Sequence, residues 1–428
     1  MSRPLRSVAT VHYGKSQGEV AVEDGEVPIL GTGGEFGRAC RGLFSGPAIV
    51  VPRKGSLGNP QYVEGPFWPV DTTYAVMPKA EVCARWIYYS LALFDLTKLN
   101  EATGVPSISR NLLERVPLAD ISSAEQHRIA EILSTVDEAI EHTERLIAKQ
   151  QQIKAGLMHD LFTRGVWTAE SIERAHQSGS PKDRSAGALA KAGALAKPGQ
   201  LRPRREDVPE LYKESPLGWI PKDWEVKPLG VIVQSLIDGP FGSNLKSEHY
   251  VVEPGVRVVR LQNIKEGEYN DGDRAFISES HASFLIRNTV VEGDVLIAAL
   301  GEDNYPVGRA CCYPYDLPPA VNKADCFRLR CQPERARNPF VMNFLNTELA
   351  RKQIRKYEQG VTRKRINGGN MKKVCVVLPE LAEQELAVSL IDTETKVIET
   401  LLIQLVKLKK QKQGLMQDLL SGKVPVLS

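Results

Sequence analysis

Apolar residues recur at alternating spacings of three and four in two long stretches of this chain. Neither stretch contains proline, and glycine occurs in each only near the end. The spacing is that of a heptad seam, so each stretch is predicted to form one long helix. The seam positions are Leu133, Val136, Ile140, Thr143, Ile147, Gln150, Lys154, Leu157 and Leu161 in the first stretch, and Ile391, Glu394, Ile398, Leu401, Leu405, Leu408, Lys412, Leu415 and Leu419 in the second.

The two stretches are copies of one sequence. Ala124-Glu125-Gln126 recurs as Ala382-Glu383-Gln384, and Gly156-Leu157-Met158 recurs as Gly414-Leu415-Met416, in both cases 258 positions later. A chance match does not hold one register from residue 124 to residue 161. The pattern therefore indicates an internal duplication.

Two apolar stripes on one chain are satisfied most simply by packing against each other. At 1.5 Å per residue, a helix of about 35 residues spans roughly 50 Å. Polar seam residues such as Lys154 and Lys412 lower stability but can fix the register. The alternative is that each helix docks on its own globular domain. In both cases the helices are spacers and carry no chemistry.

Outside the helices, turn-rich regions in which glycine clusters lie between short β-like runs predict two globular domains of mixed α/β (α+β) character. The turn at Gly360–Ile366 resembles the one at Gly104–Ile108, so the duplication extends into the globular domains. Between the halves, Ala-Gly-Ala-Leu-Ala-Lys occurs twice in succession, which is typical of a flexible linker. The predicted segments are 1–120 (first domain), 121–164 (first helix), 165–214 (linker), 215–380 (second domain) and 381–422 (second helix).

Composition narrows the class of protein. The chain has 428 residues, of which 42% are hydrophobic, and a formal net charge of +3, so binding to nucleic acid requires local basic surface. No apolar run is long enough to span a membrane, and the N-terminus lacks the apolar segment of a signal peptide, so we expect a cytoplasmic protein. Cys311, Cys312, Cys326 and Cys331 lie close together in sequence. Zinc binding is one interpretation, but without a C-x-x-C spacing buried thiols are favoured.

The motifs of common nucleic-acid enzymes are missing from the sequence. It has no phosphate-binding G-x-x-x-x-G-K-[ST] loop, no Asn/Asp-Pro-Pro-Tyr/Phe segment of an amino-methyltransferase and no H-E-x-x-H. The seven histidines are dispersed and form no acid–base constellation. We therefore predict no catalytic residues, no metal site and no cofactor in this chain.

Several features together resemble the specificity (S) subunit of type I restriction-modification systems. They are the paired Gly-Leu-Met-x-Asp-Leu helix ends, the Ala-Glu-Gln helix starts and the Leu217-Gly218-Trp219-Ile220-Pro221-x-x-Trp224 entry to the second domain. Gly33-Gly34, Arg53–Ser56 and Asp71-Thr72 carry the resemblance in the first domain. Two departures are that the first domain lacks the Trp-containing entry of the second and that the linker is longer and lower in complexity than is usual.

The resemblance implies two target recognition domains, separated by two long antiparallel helices that form a coiled coil with an internal pseudo-twofold repeat. Each domain would read one half of a split, asymmetric site in double-stranded DNA, as part of a defence against foreign DNA. Two modification (methyltransferase) subunits and the restriction subunits would join the complex, with S-adenosylmethionine, ATP and Mg²⁺ acting in those partners. Partner contacts are expected at the helix ends, at Leu157, Met158, Leu161, Leu415, Met416 and Leu419.

DNA contacts are predicted on basic, hydroxyl-bearing and amide-bearing loops, because Arg and Lys neutralise phosphates while Arg, Asn, Gln and Ser read base edges. Such loops are also commonly just solvated. The candidates in the first domain are Arg53, Lys54, Ser56, Ser107, Ser109 and Arg110. The candidates in the second domain are Ser243, Asn244, Lys246, Arg260, Gln262, Asn263, Arg363, Lys364 and Arg365.

Two other classes of function remain as alternatives. A stand-alone enzyme is disfavoured by the missing motifs. Methyl transfer by the isolated chain would support this alternative. A coiled-coil assembly scaffold, with a defective or single active DNA-reading domain, is disfavoured by two large domains with basic loops.

Overall fold

The computed structural model of the protein describes residues 2–177, 196–302, 304–422 and 424, without the side chains of residues 176, 177 and 243. The chain forms two compact units, one combining Met1–Ala148 with Glu399–Ser428 and the other comprising Lys149–Ile398. Both boundaries fall inside the long helices. Each unit therefore contains one mixed α/β domain and one end of each helix.

The first unit contains two small sheets and a strand pair. Its strands are β1 (Ser2–Pro4), β2 (Ala9–Tyr13), β3 (Val27–Gly31), β4 (Gly34–Ala39), β5 (Phe44–Ser45), β6 (Ala48–Pro52), β7 (Gln61–Val63), β8 (Pro66–Pro69), β9 (Thr73–Pro78) and β10 (Pro117–Ala119). Its helices are α1 (Leu5–Val8), α2 (Ala84–Leu93), a 3₁₀ helix (Leu96–Leu99), α3 (Arg110–Glu114) and the first part of α4 (Ser123–Thr163).

The sheets of the first unit have a simple order. One is antiparallel throughout, in the order β2-β9-β6-β7, and the other has the order β4-β3-β8-β5 with a parallel β3/β8 pair. β1 pairs with β10. The buried residues of β6 are apolar on both faces, with Ile49 and Val51 packed in one cluster and Ala48 and Val50 in another. Because β6 is buried on both faces, its sequence is a continuous run of apolar residues.

The second unit is larger. Its strands are β11 (Tyr212–Ser215), β12 (Gly218–Pro221), β13 (Glu225–Pro228), β14 (Val233–Ile237), β15 (Tyr250–Val251), β16 (Val256–Val259), β17 (Phe276–Ile277), β18 (Thr289–Val290), β19 (Val295–Ala298), β20 (Leu300–Gly301), β21 (Ala310–Cys312), β22 (Ala320–Asn322), β23 (Cys326–Cys331), β24 (Lys364–Arg365) and β25 (Cys375–Leu378). Its α-helices after α4 are α5 (Ala169–Gln177), α6 (Leu229–Ile232), α7 (Glu279–Phe284), α8 (Asn338–Leu345), α9 (Glu348–Arg355), α10 (Gly368–Met371) and α11 (Leu381–Leu419). Its 3₁₀ helices are Pro209–Leu211, Gly242–Asn244, Ser247–His249, Leu261–Asn263 and Ile286–Asn288.

The sheets of the second unit repeat those of the first. β14-β23-β19-β21 is again fully antiparallel, and β15-β17-β16-β22-β18 again contains one parallel pair, β16/β22, near its middle. β13 pairs with β25 as β1 pairs with β10. The duplication predicted from the helices therefore includes both globular domains.

Two buried glutamines mark the same junction in both copies. Gln126 donates to the carbonyl of Ile121 (3.2 Å) and accepts from the backbone N–H of Cys83, the residue before α2 (3.1 Å). Gln384, which is 258 positions later, donates to the carbonyl of Pro379 and accepts from the N–H of Arg337, the residue before α8 (both 2.9 Å). Each glutamine thus ties the start of its long helix to the shorter helix of its domain.

The heptad seam is confirmed by burial, because every predicted seam residue on α4 and α11 is buried or half-buried. In the first unit Lys412 pairs with Asp137 (2.6 Å) and Lys409 with Glu144 (2.8 Å), so the helix segments run antiparallel. The seam lysine Lys412 thereby has a partner that can fix the register. The helix ends also pack into the domain cores, as Leu133 and Leu419 do in the first unit and Leu161 and Ile391 in the second.

The prediction of a flexible linker over 165–214 is wrong for the residues of this segment that the structure describes, because they pack into a small core. Trp167 and Ala175 of residues 164–177 form a small core with Leu211 and Tyr212, and Val166 bridges to Leu201. Local composition does not reveal these contacts, because the apolar residues that make them are few and widely spaced. Residues 178–195, which include most of the doubled Ala-Gly-Ala-Leu-Ala-Lys, lie outside the described residues.

None of the helices in the described ranges combines the length and apolar character required to cross a bilayer.

Candidate nucleic-acid interface

In the first unit, predicted contact residues gather at one end of the antiparallel sheet. Arg53 and Lys54 directly follow β6, at the end where Pro52 pairs with Thr73. The carbonyl of Arg53 accepts from the N–H of Ile108 (3.0 Å), and Lys54 forms a bridge with Ser107. The structure therefore brings Arg53, Lys54 and Ser107 together from distant parts of the sequence.

These side chains differ in how they are held. The Arg53 guanidinium is half-buried, donates to the carbonyl of Asp71 (3.2 Å) and lies 5.2 Å from the ring centroid of Tyr13. Lys54 and Ser56 are exposed. Arg53 is thus a preorganised cation, whereas Lys54 and Ser56 extend into solvent where a phosphate or base edge could reach them.

Two further predicted residues of this unit lie at the start of α3. Ser109 occupies the N-cap position, but its side chain makes no capping hydrogen bond, whereas Arg110 forms an ion pair with Glu114 within that helix (2.7 Å). Because Glu114 already compensates its charge, Arg110 is a weaker candidate for DNA contact than Lys54.

A second set of residues in this unit was missed by the sequence analysis. Lys15, Ser16 and Arg41 line a cleft beside Trp68, whose indole N–H donates to the carbonyl of Lys15 (2.9 Å). Lys15 follows Gly14, where a Cβ atom would approach the Val70 carbonyl oxygen to 2.1 Å. Lys15 and Ser16 lie on the loop after β2, and this loop is equivalent to the loop after β14 that carries predicted contacts in the second unit. That equivalence is the signal that could have identified them.

In the second unit, two predicted residues line one cleft of about 520 Å³. Gln262 and Arg363 are both exposed there, and the other polar and aromatic lining residues are Lys265, Asn270, Glu302, Tyr305 and Arg309. The pairing of β24 with β20 brings Arg363, which immediately precedes β24, to this cleft.

A buried arginine shapes this cleft. Arg309 is 5% exposed and donates to the carbonyls of Leu261, Ile264, Leu300 and Tyr305. Burial lowers the pKa of its guanidinium from the usual value, but these carbonyls and that of Pro306 (3.3 Å), five acceptors in all, hold its protons in place. Arg309 therefore fixes the loops that carry Gln262 and Tyr305, and is unavailable to bind a ligand.

The loop after β14 carries further candidates. Gly239 packs so closely that a Cβ atom would lie 1.9 Å from the Lys323 carbonyl, which anchors the base of the loop. Asn244 and Lys246 are exposed, and Lys246 pairs loosely with Glu248 (3.6 Å). The side chain of Ser243 lies outside the described residues.

Strand β16 ends at Val259, and the residues that follow it require two corrections to the predicted DNA contacts. Asn263 is fully buried, accepts from the N–H of Arg260 (2.8 Å) and donates to the carbonyls of Asn270 and Asp273. Arg260 forms an ion pair with Asp273. Both therefore stabilise the turn that presents Gln262, and Asn263 is not available to read DNA.

The three residues of the basic run 363–365 also have different environments. Arg365 pairs with Asp325, and its guanidinium lies 5.5 Å from the ring centroid of Phe241. Lys364 is half-buried in β24. Of the three, Arg363 has the position best suited to contact a ligand in the cleft.

The predicted partner-binding residues need correction. Leu161 belongs to the core of the second unit, and Met416 and Leu419 belong to the core of the first. Leu157, Met158 and Leu415 are half-buried against the same cores. These residues hold the helices to the domains, so they do not form a free partner surface.

Exposed apolar residues lie elsewhere on the helices. Leu402, Ile403 and Val406 of α11 are 44%, 71% and 54% exposed, and they lie within about one turn of each other. They fall off the heptad seam. That departure from the seam is the sequence signal that could have identified them.

The described residues contain no group of three or more His, Cys, Asp or Glu side chains arranged to hold a metal ion. The cysteines are free thiols. Cys311, Cys326 and Cys331 are buried, and burial raises the pKa of the Cys331 thiol to about 12. At neutral pH this thiol is protonated, consistent with the buried-thiol interpretation.

Comparison with known proteins agrees with the fold. Residues 2–152 match the family described as type I restriction modification DNA specificity domain. The chain is 23% identical over 418 residues to the type I restriction enzyme MjaVIII specificity subunit of Methanocaldococcus jannaschii, covering 95% of this chain and 81% of that protein. It is 22% identical over 212 residues to the putative MjaX specificity subunit of the same organism, covering 49% of this chain and 48% of that protein.

Two solved structures share the fold. One is the S subunit of a type I restriction-modification system from M. genitalium, with a TM-score of 0.58 and 17% identity over 100% of this chain and 96% of that one. The other comes from work on complex assembly and conformational transition of a type I R-M system, with a TM-score of 0.54 and 14% identity over 99% and 98% of the two chains.

Proposed function

We propose that this chain, which resembles type I restriction-modification specificity subunits along its whole length, is the non-catalytic subunit that selects the DNA sequence for such a complex. The observation that supports the proposal is the duplication of the domain fold. The antiparallel sheets of the two units have corresponding strand orders, and the mixed sheet of the second unit has one additional strand, β15. Cationic and polar loop residues lie at the corresponding end of the antiparallel sheet in each unit, Arg53 and Lys54 in the first and Gln262 and Arg363 in the second. Two similar domains with different loop residues suit a split site with two different halves.

The two units would read their halves with different side chains. In the first, Lys54, Lys15 and Arg41 would neutralise phosphates, while Ser56 is placed to reach a base edge. In the second, Lys246 would contact the backbone. Gln262 and Arg363, which share a cleft, have the chemistry for adenine and guanine respectively, because Gln pairs with adenine N6/N7 and Arg with guanine O6/N7.

The remaining parts of the complex belong to other chains in this proposal. Two modification subunits and the restriction subunits would supply methyl transfer and cleavage, with S-adenosylmethionine, ATP and Mg²⁺ bound in those partners. The complex would act in the cytoplasm. We assign one modification-subunit contact to Leu402, Ile403 and Val406, because they form an exposed apolar patch on a long helix.

Methylome sequencing of a host that expresses this chain with a modification subunit tests the proposal. We expect a split, asymmetric methylated motif, and exchange of one domain should then change only one half of it. A motif with a single specified half would mean that one domain does not read DNA. A stable complex that adds no methylation would support the scaffold alternative.

Two substitutions in the second unit should separate base reading from phosphate contact. Gln262→Ala is expected to relax selection at one position of one half-site, at a cost of about 1–3 kcal/mol in binding the preferred sequence. Lys246→Ala should weaken binding to all sequences alike and reduce the salt dependence by about one counterion. Competition binding of the assembled complex at several salt concentrations measures both effects. A change of recognised sequence in Lys246→Ala would contradict its assignment to the backbone.

A further inference from the structure

Two large apolar side chains protrude from the second unit close to its predicted DNA-reading loop. Phe284, at the end of α7, is 84% exposed, and Ile286 in the following 3₁₀ helix is 73% exposed. Single exposed apolar residues are common and need no explanation. Phe284 and Ile286 differ from that background because the segment that carries them is braced at both ends.

The first brace is made by His281. Its ring Nε2 donates to the carbonyl of Asn244 (2.8 Å), on the loop that follows β14. The His281 ring also stacks on His249 at a centroid distance of 4.1 Å, and His249 Nδ1 accepts from the N–H of Lys246 (3.0 Å). Phe284 is three residues after His281 and therefore lies on the same face of α7. On that face His281 is bound to Asn244, whereas the Phe284 side chain stays exposed to solvent.

The second brace is made by Asn288. Its amide donates to the carbonyl of Asp238 (2.8 Å) and to the side-chain oxygen of Asn322 (3.2 Å). Asp238 is the first residue after β14, at the start of the loop to which His281 binds at Asn244. Phe284 and Ile286 thus lie between two residues that are hydrogen-bonded to the loop at residues 238–244, while their own side chains remain exposed.

Strand register places this loop near the cleft that contains Gln262. Ile237, at the end of β14, pairs with Arg328 near the start of β23, and Cys326 at that start pairs with Ala298 at the end of β19. The chain then continues directly into β20, which lines the cleft. The braced apolar pair and the cleft therefore lie at the same end of the sheet.

We infer that Phe284 inserts between two stacked bases of the half-site read by the second unit, with Ile286 packing against the adjoining sugar. This inference rests on the proposed function. A flat, uncharged ring gains nothing from phosphates, whereas the face of an unstacked base offers it apolar area. Such a wedge opens one base step and gives selectivity for steps that unstack easily.

The test uses the assembled complex with its modification subunits and duplexes selected from a random-sequence pool. Each position of the selected site is replaced in turn by 2-aminopurine, whose fluorescence rises when the base unstacks. We expect one step to brighten with the unmodified chain, and that signal to disappear in Phe284→Ala. Affinity should fall about tenfold, the scale of one lost base–aromatic contact, while the salt slope stays unchanged because no phosphate contact is removed.

Tyr315→Ala is the matched control. Tyr315 is also aromatic and 72% exposed in the second unit, but it lies against Gly293, beside the opposite end of β19. It should bind and brighten like the unmodified chain. Phe284 is exposed, so its replacement should leave the fold intact.

The outcomes separate the two proposals. If the complex binds DNA, and Phe284→Ala binds as tightly or no position brightens, the wedge is wrong and the proposed function stands. A loss of affinity reproduced by replacing thymine with uracil, without brightening, would instead indicate a thymine-methyl contact and also overturn the wedge. If the complex selects no duplex, the proposed function fails and the wedge fails with it.

Discussion

Replacing Glu383 with alanine is expected to lower the free energy of unfolding of the second unit by about 3 kcal/mol. Glu383 is 3% exposed at the start of α11. Its carboxyl accepts from Arg202 (2.7 Å), from the N–H of Val166 (2.8 Å) and from the indole of Trp224 (3.1 Å). The Glu383 side chain thus links the start of α11 to the segment that follows α4, through Val166. It also links the start of α11 to the beginning of the second domain, through Trp224.

The size of the effect follows from what the substitution leaves behind. The N–H of Val166 and the indole N–H of Trp224 would both lose a buried acceptor. Arg202 would keep its bidentate contact with Asp223 (2.6 and 2.9 Å), so its charge would not be isolated. Burial raises the pKa of the Glu383 carboxyl to about 7, against the opposing effect of Arg202 and the two other donors. Burial of this carboxylate therefore costs free energy, and the hydrogen bonds from Arg202, Val166 and Trp224 offset that cost.

Urea unfolding of the full chain, followed by tryptophan fluorescence, measures the change, and hydrogen exchange locates it in the second unit. The duplication supplies the control. Glu125 occupies the equivalent position in the first copy, but it is more exposed and caps α4 by accepting from the N–H of Ser122 (2.9 Å). Glu125→Ala should cost only about 0.5–1 kcal/mol, as the loss of a capping interaction does. Equal losses in the two variants would contradict the role given to Glu383.

Features encoded by local periodicity were predictable from the sequence. The heptad seam predicted both long helices and the residues they bury, because residues three or four positions apart lie on the same face of a helix. The fixed spacing between the copies gave the duplication. Its extension into the domains rested on a single turn, and the structure adds the equivalent anchors of Gln126 and Gln384 together with the shared sheet order.

The roles of individual polar residues were not predictable in the same way. Arg260 and Asn263 have the chemistry of base-reading residues, and the sequence does not reveal that Asp273 and the carbonyl of Asn270 occupy them. Glu383 and Glu125 occupy the same position in the repeat, yet only Glu383 meets a buried arginine. That arginine, Arg202, belongs to a segment whose composition indicated a flexible linker. Such partners come from distant loops, and periodicity contains no information about them.

Residues on loops were predicted in part. Lys54 and Ser107 were chosen separately, and strand pairing brings them together. Lys15 and Arg41 were missed because they lie on separate loops, after β2 and after β4, and only the fold places both beside Trp68. Sequence therefore identified suitable side chains, while the fold decides which of them share a surface.

Replacing Ile403 with aspartate is expected to remove one modification subunit from the complex. Ile403 is the most exposed member of the patch formed with Leu402 and Val406, so the change should not disturb the fold of the chain itself. A carboxylate buried at an interface without a partner must be desolvated, and an apolar anchor is lost as well. Binding of that subunit should weaken at least about tenfold.

The repeat explains why one subunit should be lost and not both. At the corresponding positions of the first copy the chain has Glu144, Arg145 and Ala148, so the patch of large apolar residues is not repeated there. Two subunits that dock on related helices would then meet different surfaces, one apolar and one polar. Native mass spectrometry of the assembled complex counts the bound subunits directly. Arg145→Asp, at the position equivalent to Ile403, exchanges one exposed charge for another and should change affinity only a few-fold. Retention of both subunits by Ile403→Asp, or loss of both, would show that this patch is not the site of a single subunit.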